Sequence, residues 1–341
     1  MLDVDIEVPR RHFVVSASFR VAAGERFALF GPSGGGKTTI LHAVAGLVEP
    51  RRGHIHLGKK VLWSGGAHGR RPGEVVPIWE RAVALLQQEP SLFPHLNVRE
   101  NIAYSRRRLP SLALDEVVAL LDLAGLLEAR PSDLSGGQAH RVALARALAS
   151  DCRVLLLDEP YTGLDAGLRR QAAALVLSEL ERREIPSVLV SHDLTEAQAF
   201  ADRMGIIDAG RVLQIGPPHD VVLRPASRRV AELVGYRGFV ELDGVIVGVH
   251  PERVLPGAHR GAGPVLTGRV LRSRPSGPAF DADLEVGGTE LTVRLADDAA
   301  PRGATMQITA IDPPRFTPQG DILASTGRRV HESDHPRPLD S

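Results

Sequence analysis

A chain of 341 residues is long for one hydrophobic core and predicts two domains, and 43% hydrophobic with 24% charged residues is a globular composition, not a disordered or fibrous one. Lysine plus arginine balances aspartate plus glutamate at 41 each, so no overall positive field exists to hold a phosphate backbone, and nucleic acid is not expected as a main partner. The single cysteine, Cys152, excludes an internal disulfide and a multi-cysteine metal site, and it reads as a small buried residue before a strand.

The opening MLDVDIEVPRRHF lacks the apolar core of a signal peptide, and no later apolar run approaches the ~20 residues that a membrane helix needs. Any membrane association is therefore expected to come through a partner. RFALF, Arg26 to Phe30, reads as a short buried strand, and TTILHAVAGL reads as a helix ending near Gly46. Between them GPSGGGKT, Gly31 to Thr38, matches the G-x-x-x-x-G-K-T/S phosphate loop, set where its mechanism needs it, after a strand and before a helix. Gly34, Gly35 and Gly36 let backbone N–H groups converge on phosphate oxygens, and the helix start adds partial positive charge. Lys37 would bridge the β- and γ-phosphates, and Thr38 would hold Mg2+. The loop by itself leaves GTPases, kinases and ATPases open.

The stretch from Gly58 to Glu80 is Gly-rich and suggests no function. Val98 to Leu127 is helical in pattern with little β signal, and Gly136 to Ser150 and Gly167 to Arg183 are further helices. Val154 to Leu157 is a continuous apolar run, as in a parallel strand covered on both faces, and SVLVSHD, Ser187 to Asp193, repeats the form. The fold class expected is α/β, with a mainly parallel sheet and a helical subdomain at about 90–150. Asp158 and Glu159 then stand at the carboxyl edge of a strand, where open α/β sheets bind ligands. Asp158 would coordinate Mg2+ through water, and Glu159 would polarise the water that attacks the γ-phosphate. His192 is delivered to the same edge. In LSGGQ, Leu134 to Gln138, Ser135 is placed as an N-cap, and Gly136 and Gly137 permit close backbone approach, which makes a second anion site. A helical subdomain separates it from the phosphate loop, so two chains facing each other is the economical arrangement.

After Gly235 short alternating pieces such as DGVIVGVH, ELTVRL and MQITAID predict a small β-barrel or sandwich. The tail GRRVHESDHPRPLDS is polar and reads as disordered. The expected division is 1–235, 236–328 and a tail of 329–341.

Taken together and in order, GPSGGGKT, QQEPSLFPHL, LSGGQ, LLLDEP, TGLD and SHD resemble the ABC ATPase family. The resemblance covers about 30–235. It implies ATP hydrolysis with ATP and Mg2+, and a head-to-tail homodimer in which Ser135 and Gly137, with Gly136 and Gln138, meet the γ-phosphate held by Lys37 of the other copy. It also implies that Gly31, Pro32, Ser33 and Thr39 join the phosphate site. Gln88, in preference to Gln87, becomes the glutamine that touches Mg2+ and senses the permease, since the acidic residue follows it directly. Asp165 is placed at the subunit interface, and His192 becomes the switch that contacts the γ-phosphate. The family stacks an aromatic ring on adenine; Phe13 is the candidate here, with His12 beside it, and a plain core role is its alternative.

The order of a cassette followed by a β module is similar to importer ATPases with an oligonucleotide-binding-like (TOBE) domain. FALFGPSGGGKTTILHAVAGLVEPRRGHI and QEPSLFPHLNVRENIAY look most like molybdate-importer ATPases, with sulfate, ferric-iron, sugar and polyamine importers as alternatives. The partners implied are transmembrane permease subunits and, indirectly, a periplasmic or lipid-anchored solute-binding protein. The location implied is peripheral, on the cytoplasmic face of the inner membrane. The β module reads either as a regulatory ligand site or as a dimer-stabilising appendage. ABC ATPases that act on ribosomes or DNA carry two cassettes or a long coiled coil, and neither is seen here. A cassette that binds ATP without cleaving it would lack Glu159 or His192.

Overall fold

A computed structural model describes residues 1–65, 74–104, 114–259, 261–296 and 299–323. The expected disordered tail, and residues 66–73 of the Gly-rich stretch, lie outside the described residues. The chain forms two compact units, Met1–Pro218 and His219–Ser341.

In the first unit the strands run β1 (Leu2–Pro9), β2 (Val14–Val21), β3 (Arg26–Phe30), β4 (Arg52–Leu57), β5 (Lys60–Gly65), β6 (Glu74–Val75), β7 (Val83–Leu86), β8 (Val154–Asp158), β9 (Ser187–Ser191), β10 (Arg203–Asp208) and β11 (Arg211–Gly216). Its helices are α1 (Lys37–Ala45), α2 (Val98–Ala103), α3 (Leu114–Leu120), α4 (Gly136–Ala149), α5 (Ala166–Arg183) and α6 (Leu194–Phe200). One sheet holds all the strands in the order β6-β5-β4-β1-β2-β11-β10-β3-β9-β8-β7.

The sheet has two halves with different sequence textures. From β10 through β3, β9 and β8 to β7 every pairing is parallel, and VLLLD and SVLVS are buried at every position, as strands covered on both faces must be. This is the parallel layer that the apolar runs predict. The other half pairs antiparallel from β2 through β1, β4 and β5 to β6. In β1 and β2 every second residue is buried, which gives that half one dry face. Its dry side chains, among them Leu2, Val4, Ile6, Ile55 and Trp63, form one core with Phe27, Leu29, Ile40, Leu41 and Leu156. Each such side chain contributes roughly 1.5–3 kcal/mol by leaving water.

Helix α1 packs against strands of both halves, and α6 lies on β3 and β9. Between β7 and β8 the described regular elements are helical, with α2 and α3 packed on α4. Asn101 of α2 is fully buried and organises the turn before it. It donates to the carbonyls of Phe93, Leu96 and Asn97, and accepts from the Phe93 N–H at 2.9 Å.

The second unit is built of two antiparallel sheets of five and four strands. The larger runs Val254–Pro256, Thr305–Ala310, Val265–Ser276, Ala279–Val286 and Thr289–Leu295. Its core joins Val270, Leu284, Leu291, Val293 and Ile308. This is the all-β C-terminal module that the alternating segments predict, and it is consistent with a TOBE-like domain. The β texture begins after Gly235, but helix Arg228–Leu233 just before it is tied to the same unit: the Arg228 N–H donates to the Gly320 carbonyl at 2.9 Å.

Candidate functional site

Residues 31–36 leave the end of β3 and turn directly into α1. Two glycines explain why the loop takes this path. A Cβ on Gly31 would sit 2.0 Å from the Ile207 carbonyl oxygen, so only glycine lets the loop pass the end of β10. Gly36 has φ of 103°, a left-handed conformation that glycine adopts without strain, and it starts the helix with no side-chain cap. The helix N-terminus therefore keeps its N–H groups free for an anion. Lys37 follows and is buried; its Nζ donates to the carbonyls of Gly31 at 2.8 Å and Pro32 at 2.9 Å. Burial lowers its pKa, and the carboxylates of Glu159 and Asp158 work in the opposite sense.

The loop forms one side of a cleft of about 500 Å³. Ser33, Gly34, Gly36, Lys37, Thr38 and Thr39 line it, together with Phe13, Gln88 and Glu159. Arg10, Arg11 and His12, in the turn between β1 and β2, complete the lining. Phe13 lines the cleft and is also partly packed on the core. The arginine pair was legible only as RRHF, a basic pair beside an aromatic, and nothing in the sequence aims it at the phosphate loop.

Asp158 ends β8 at 1% exposure, and neither of its oxygens makes a well-formed hydrogen bond. Burial raises its pKa, while the nearby Thr38 hydroxyl opposes that rise. A buried carboxylate with free lone pairs beside a hydroxyl is a donor set that suits a hard divalent cation such as Mg2+.

Glu159 has φ of 49°, a left-handed conformation that is strained for a residue with a side chain. The backbone around it is held by its own N–H, which donates to the Val190 carbonyl at 2.9 Å. Strain of this kind persists only where the surroundings over-determine it, and here it aims the carboxylate at three donors. Nδ1 of His192 lies 3.0 Å from Oε1, Gln88 Nε2 donates to Oε2 at 3.3 Å, and the Thr162 hydroxyl donates to Oε2 at 3.5 Å. Gln87 turns away to accept from the Ser91 hydroxyl at 2.7 Å. Gln88, and not Gln87, therefore faces Glu159.

The LSGGQ residues and Asp165, expected to serve the other copy of a dimer, lie apart from this cleft. Of the described residues that line the cleft, none comes from Leu134–Gln138, and Asp165 is not among them. Ser135 caps α4: its hydroxyl accepts from the Gln138 N–H at 3.3 Å, and Gln138 Oε1 accepts from the Ser135 N–H at 2.8 Å. Gly136 faces open space, whereas a Cβ on Gly137 would come within 3.1 Å of the Gly163 carbonyl oxygen. Asp165 caps α5 by accepting from the N–H groups of Gly167 and Leu168, and those hydrogen bonds, the one from Leu168 foremost, lower its pKa.

His140 was not singled out by the sequence. It is buried on α4, with Nε2 2.8 Å from the Pro160 carbonyl oxygen, so it joins the helix that LSGGQ opens to the residue after Glu159. Burial lowers its pKa; the neutral ring carries its proton on Nε2 and donates it to Pro160. Phe93, beyond Gln88, takes the Arg146 guanidinium of the same helix over its ring at 5.2 Å.

A phosphate loop between a parallel strand and a helix, with an acidic pair at the end of β8 two strands along the same sheet, defines the phosphate-loop nucleotide-binding class. A family profile described as ABC transporter matches residues 14–162. That stretch holds the phosphate loop, Gln88, LSGGQ, Asp158 and Glu159, and leaves Phe13, Asp165 and His192 outside it. The ferric-ion import ATP-binding protein FbpC of Mesorhizobium japonicum is 42% identical over 219 residues, 63% of this chain and 59% of that protein's length. The molybdenum import ATP-binding protein ModC of Mycobacterium tuberculosis is 38% identical over 259 residues, 72% of this chain and 67% of that protein. A solved structure described as the ATP-binding subunit of an ABC transporter superposes with a TM-score of 0.55 at 26% identity, covering 69% of this chain and 94% of that one. The chain belongs to the family of ABC transporter ATP-binding proteins.

Proposed function

We propose that this chain hydrolyses ATP and that the hydrolysis powers solute import through a membrane permease. The observation that carries the reading is the convergence on one cleft of buried Lys37, Thr38, Gln88 and Glu159, with the Glu159 carboxylate held by His192 and Gln88 and the buried carboxylate of Asp158 beside Thr38. The phosphate-loop N–H groups and Lys37 hold the triphosphate, with Ser33, Gly34, Gly35 and Thr39 around it, and Phe13 offers its ring to the base. Mg2+, bound through Thr38, Asp158 and Gln88, would supply charge neutralisation on the β- and γ-phosphates. Glu159 accepts a proton from water as the water oxygen bonds to the γ-phosphorus and the bond to the β–γ bridging oxygen breaks, releasing ADP. His192 donates to the Glu159 carboxylate and fixes its direction. The test is phosphate release from Mg-ATP: Glu159→Gln should lower it at least ~100-fold, and an unchanged rate would remove Glu159 from the role.

The active assembly is a head-to-tail homodimer on this reading. The cleft lacks the LSGGQ residues of its own chain, and Gly136 is open to an incoming ligand, so Ser135, Gly136, Gly137 and Gln138 complete the site of the other copy, with Asp165 at the interface. Support for a permease partner comes from exposed apolar residues. Leu47, Val75, Ile78 and Trp79 are all exposed, Trp79 at 83%. The segment that carries three of them is held to the end of α1 by Arg81, which donates to the carbonyls of Val76, Ala43 and Val44. Exposed apolar side chains clustered in one short segment suit a docking surface. Among the described residues no helix is long and apolar enough to cross a membrane, and the chain sits peripherally on the cytoplasmic face of the inner membrane through that permease.

Molybdate or a related oxyanion is the cargo we favour from the motif likeness and the ModC relation. Ferric iron is the second reading, favoured by the 42% identity to FbpC. Stimulation of ATP hydrolysis by the reconstituted permease, with its solute-binding protein loaded with molybdate or ferric ion, separates the two. For the second unit, three arginines of the larger sheet, Arg272, Arg274 and Arg294, favour an appendage over an anion sensor. Arg272 and Arg274 both donate to the buried Asp283, and Arg294 to Asp281 and Glu252, so their charge is already spent on carboxylates.

A further inference from the structure

The outer face of the antiparallel half-sheet carries a cluster that the nucleotide cleft does not use. β1 and β4 pair antiparallel, with Asp3 opposite His56 and Asp5 opposite His54. Leu2, Val4 and Ile6 of β1 and Ile55 and Leu57 of β4 are buried beneath, so Asp3, His54 and His56 share the opposite face. His54 and His56 are two residues apart on one strand, and their rings stand 4.6 Å apart between centroids. His54 Nε2 lies 3.7 Å from Asp3 Oδ1, and one ligand atom from each of the three residues falls within 4.8 Å of the others.

Two features separate this trio from an incidental surface group. The three residues are anchored on paired strands over a packed core, so their Cα positions are fixed. The Asp3 carboxylate is also oriented: Arg20, opposite it on β2, donates Nε to Oδ2 at 3.1 Å and leaves Oδ1 facing the imidazoles. Ligating carboxylates are commonly fixed by such an outer hydrogen bond. The Asp3 side chain is 17% exposed and that of His54 35%, so the group is half-sheltered yet open to an ion from solvent.

The geometry points to a second ion site: Asp3, His54 and His56 bind one late first-row divalent transition-metal ion, with Zn2+ as the representative. Two imidazole nitrogens and one carboxylate oxygen are the ligand types that Zn2+ and its neighbours take, whereas Mg2+ prefers oxygen donors alone. Three protein ligands leave a coordination position for water. The ligand atoms lie somewhat wider than a bound ion would hold them, and side-chain rotation within fixed strands closes that gap. The bound ion ties β4 to β1 and stabilises the antiparallel half of the sheet by mass action.

The test uses the full chain, stripped with a chelator and saturated with Mg-ATP so that the nucleotide cleft is filled. Zn2+ is titrated against a competing indicator, and Co2+ is added as a spectroscopic probe. One equivalent of Zn2+ should bind and raise the melting temperature, and Co2+ should show visible absorption from nitrogen ligation. His54→Asn and His56→Asn should each weaken Zn2+ at least ~10-fold, the lower end of what losing a ligand or its support costs, while ATP turnover stays at the wild-type rate. Asp3→Asn, which keeps the side chain's size, is the companion if a histidine variant folds poorly. Unchanged Zn2+ affinity in the folded variants would overturn the site. So would loss of the Co2+ signal only in His192→Ala, which would place the metal in the cleft, and so would no binding at ~100 µM Zn2+ in the wild-type chain.

Discussion

His192 Nδ1 stands 3.0 Å from Glu159 Oε1, while Gln88 reaches the other oxygen of the same carboxylate. Three segments distant in sequence thus meet on one group. If His192 sets the direction in which Glu159 takes a proton, His192→Ala should lower the turnover number about 100-fold, the low end of a general acid–base contribution, and leave ATP affinity within a few-fold. Single-turnover phosphate release together with equilibrium nucleotide binding checks this. A variant that loses affinity but turns over normally would assign His192 to binding instead.

The adjacent glutamines separate cleanly. Gln88 touches Glu159, and Gln87 is engaged with Ser91. Gln88→Ala should lower ATP turnover by about 10-fold or more, whereas Gln87→Ala should leave it near wild type, since a lost surface hydrogen bond of ~1 kcal/mol acts on stability alone. Equal loss in both variants would mean that the whole segment, not one side chain, shapes the site.

Asp158 carries a stability cost that its role explains. Its pKa is raised by burial, so the unfolded chain ionises it first as pH rises above the ordinary value near 3.8. Below that value both states are protonated and no penalty exists; above the raised folded value the penalty is complete. Asp158→Asn should therefore raise the melting temperature of the nucleotide-free protein at neutral pH, with a gain that shrinks as pH falls toward 4. The same change should weaken the Mg2+ dependence of ATP turnover. A variant no more stable at pH 7 would show that the free carboxylate finds a partner in solution.

His140 is the structural link to test. His140→Ala leaves the buried Pro160 carbonyl without a donor and opens a cavity, which should destabilise by about 2 kcal/mol. The wild-type ring is neutral in the fold because burial lowers its pKa, so the unfolded state takes the proton first below the ordinary value near 6.5. The stability difference between wild type and variant should therefore narrow as pH falls through that value. Denaturant melts between pH 8 and 5.5 give the comparison, and a difference independent of pH would argue against the buried neutral ring.

How much of this was written in the sequence depends on range. β3, α1, β8, α4 and α5 were legible because continuous apolar runs, helical spacing and the GPSGGGKT and LSGGQ patterns are local. Glu159, Lys37 and His192 could be placed at a sheet edge by their strands alone. The antiparallel half was not read, although LDVDIEVP alternates strictly, because nothing local tells that the strand pairs with residues 52–57. The left-handed backbone of Glu159, the reach of Arg10 and Arg11 into the cleft, and the His140–Pro160 contact all depend on groups that meet across about twenty residues or more. Phe13 had no readable register because its place is set by the turn that closes through the Arg10 N–H and the Phe13 carbonyl.

The central claim is a site shared between two copies, with Glu159 as the base. It is tested most directly by sedimentation velocity of Glu159→Gln with and without Mg-ATP, followed by analysis of the bound nucleotide. The account predicts a monomer without nucleotide that becomes a dimer holding uncleaved ATP, two per dimer. A variant that stays monomeric at saturating Mg-ATP, or a dimer found to contain only ADP, would contradict it.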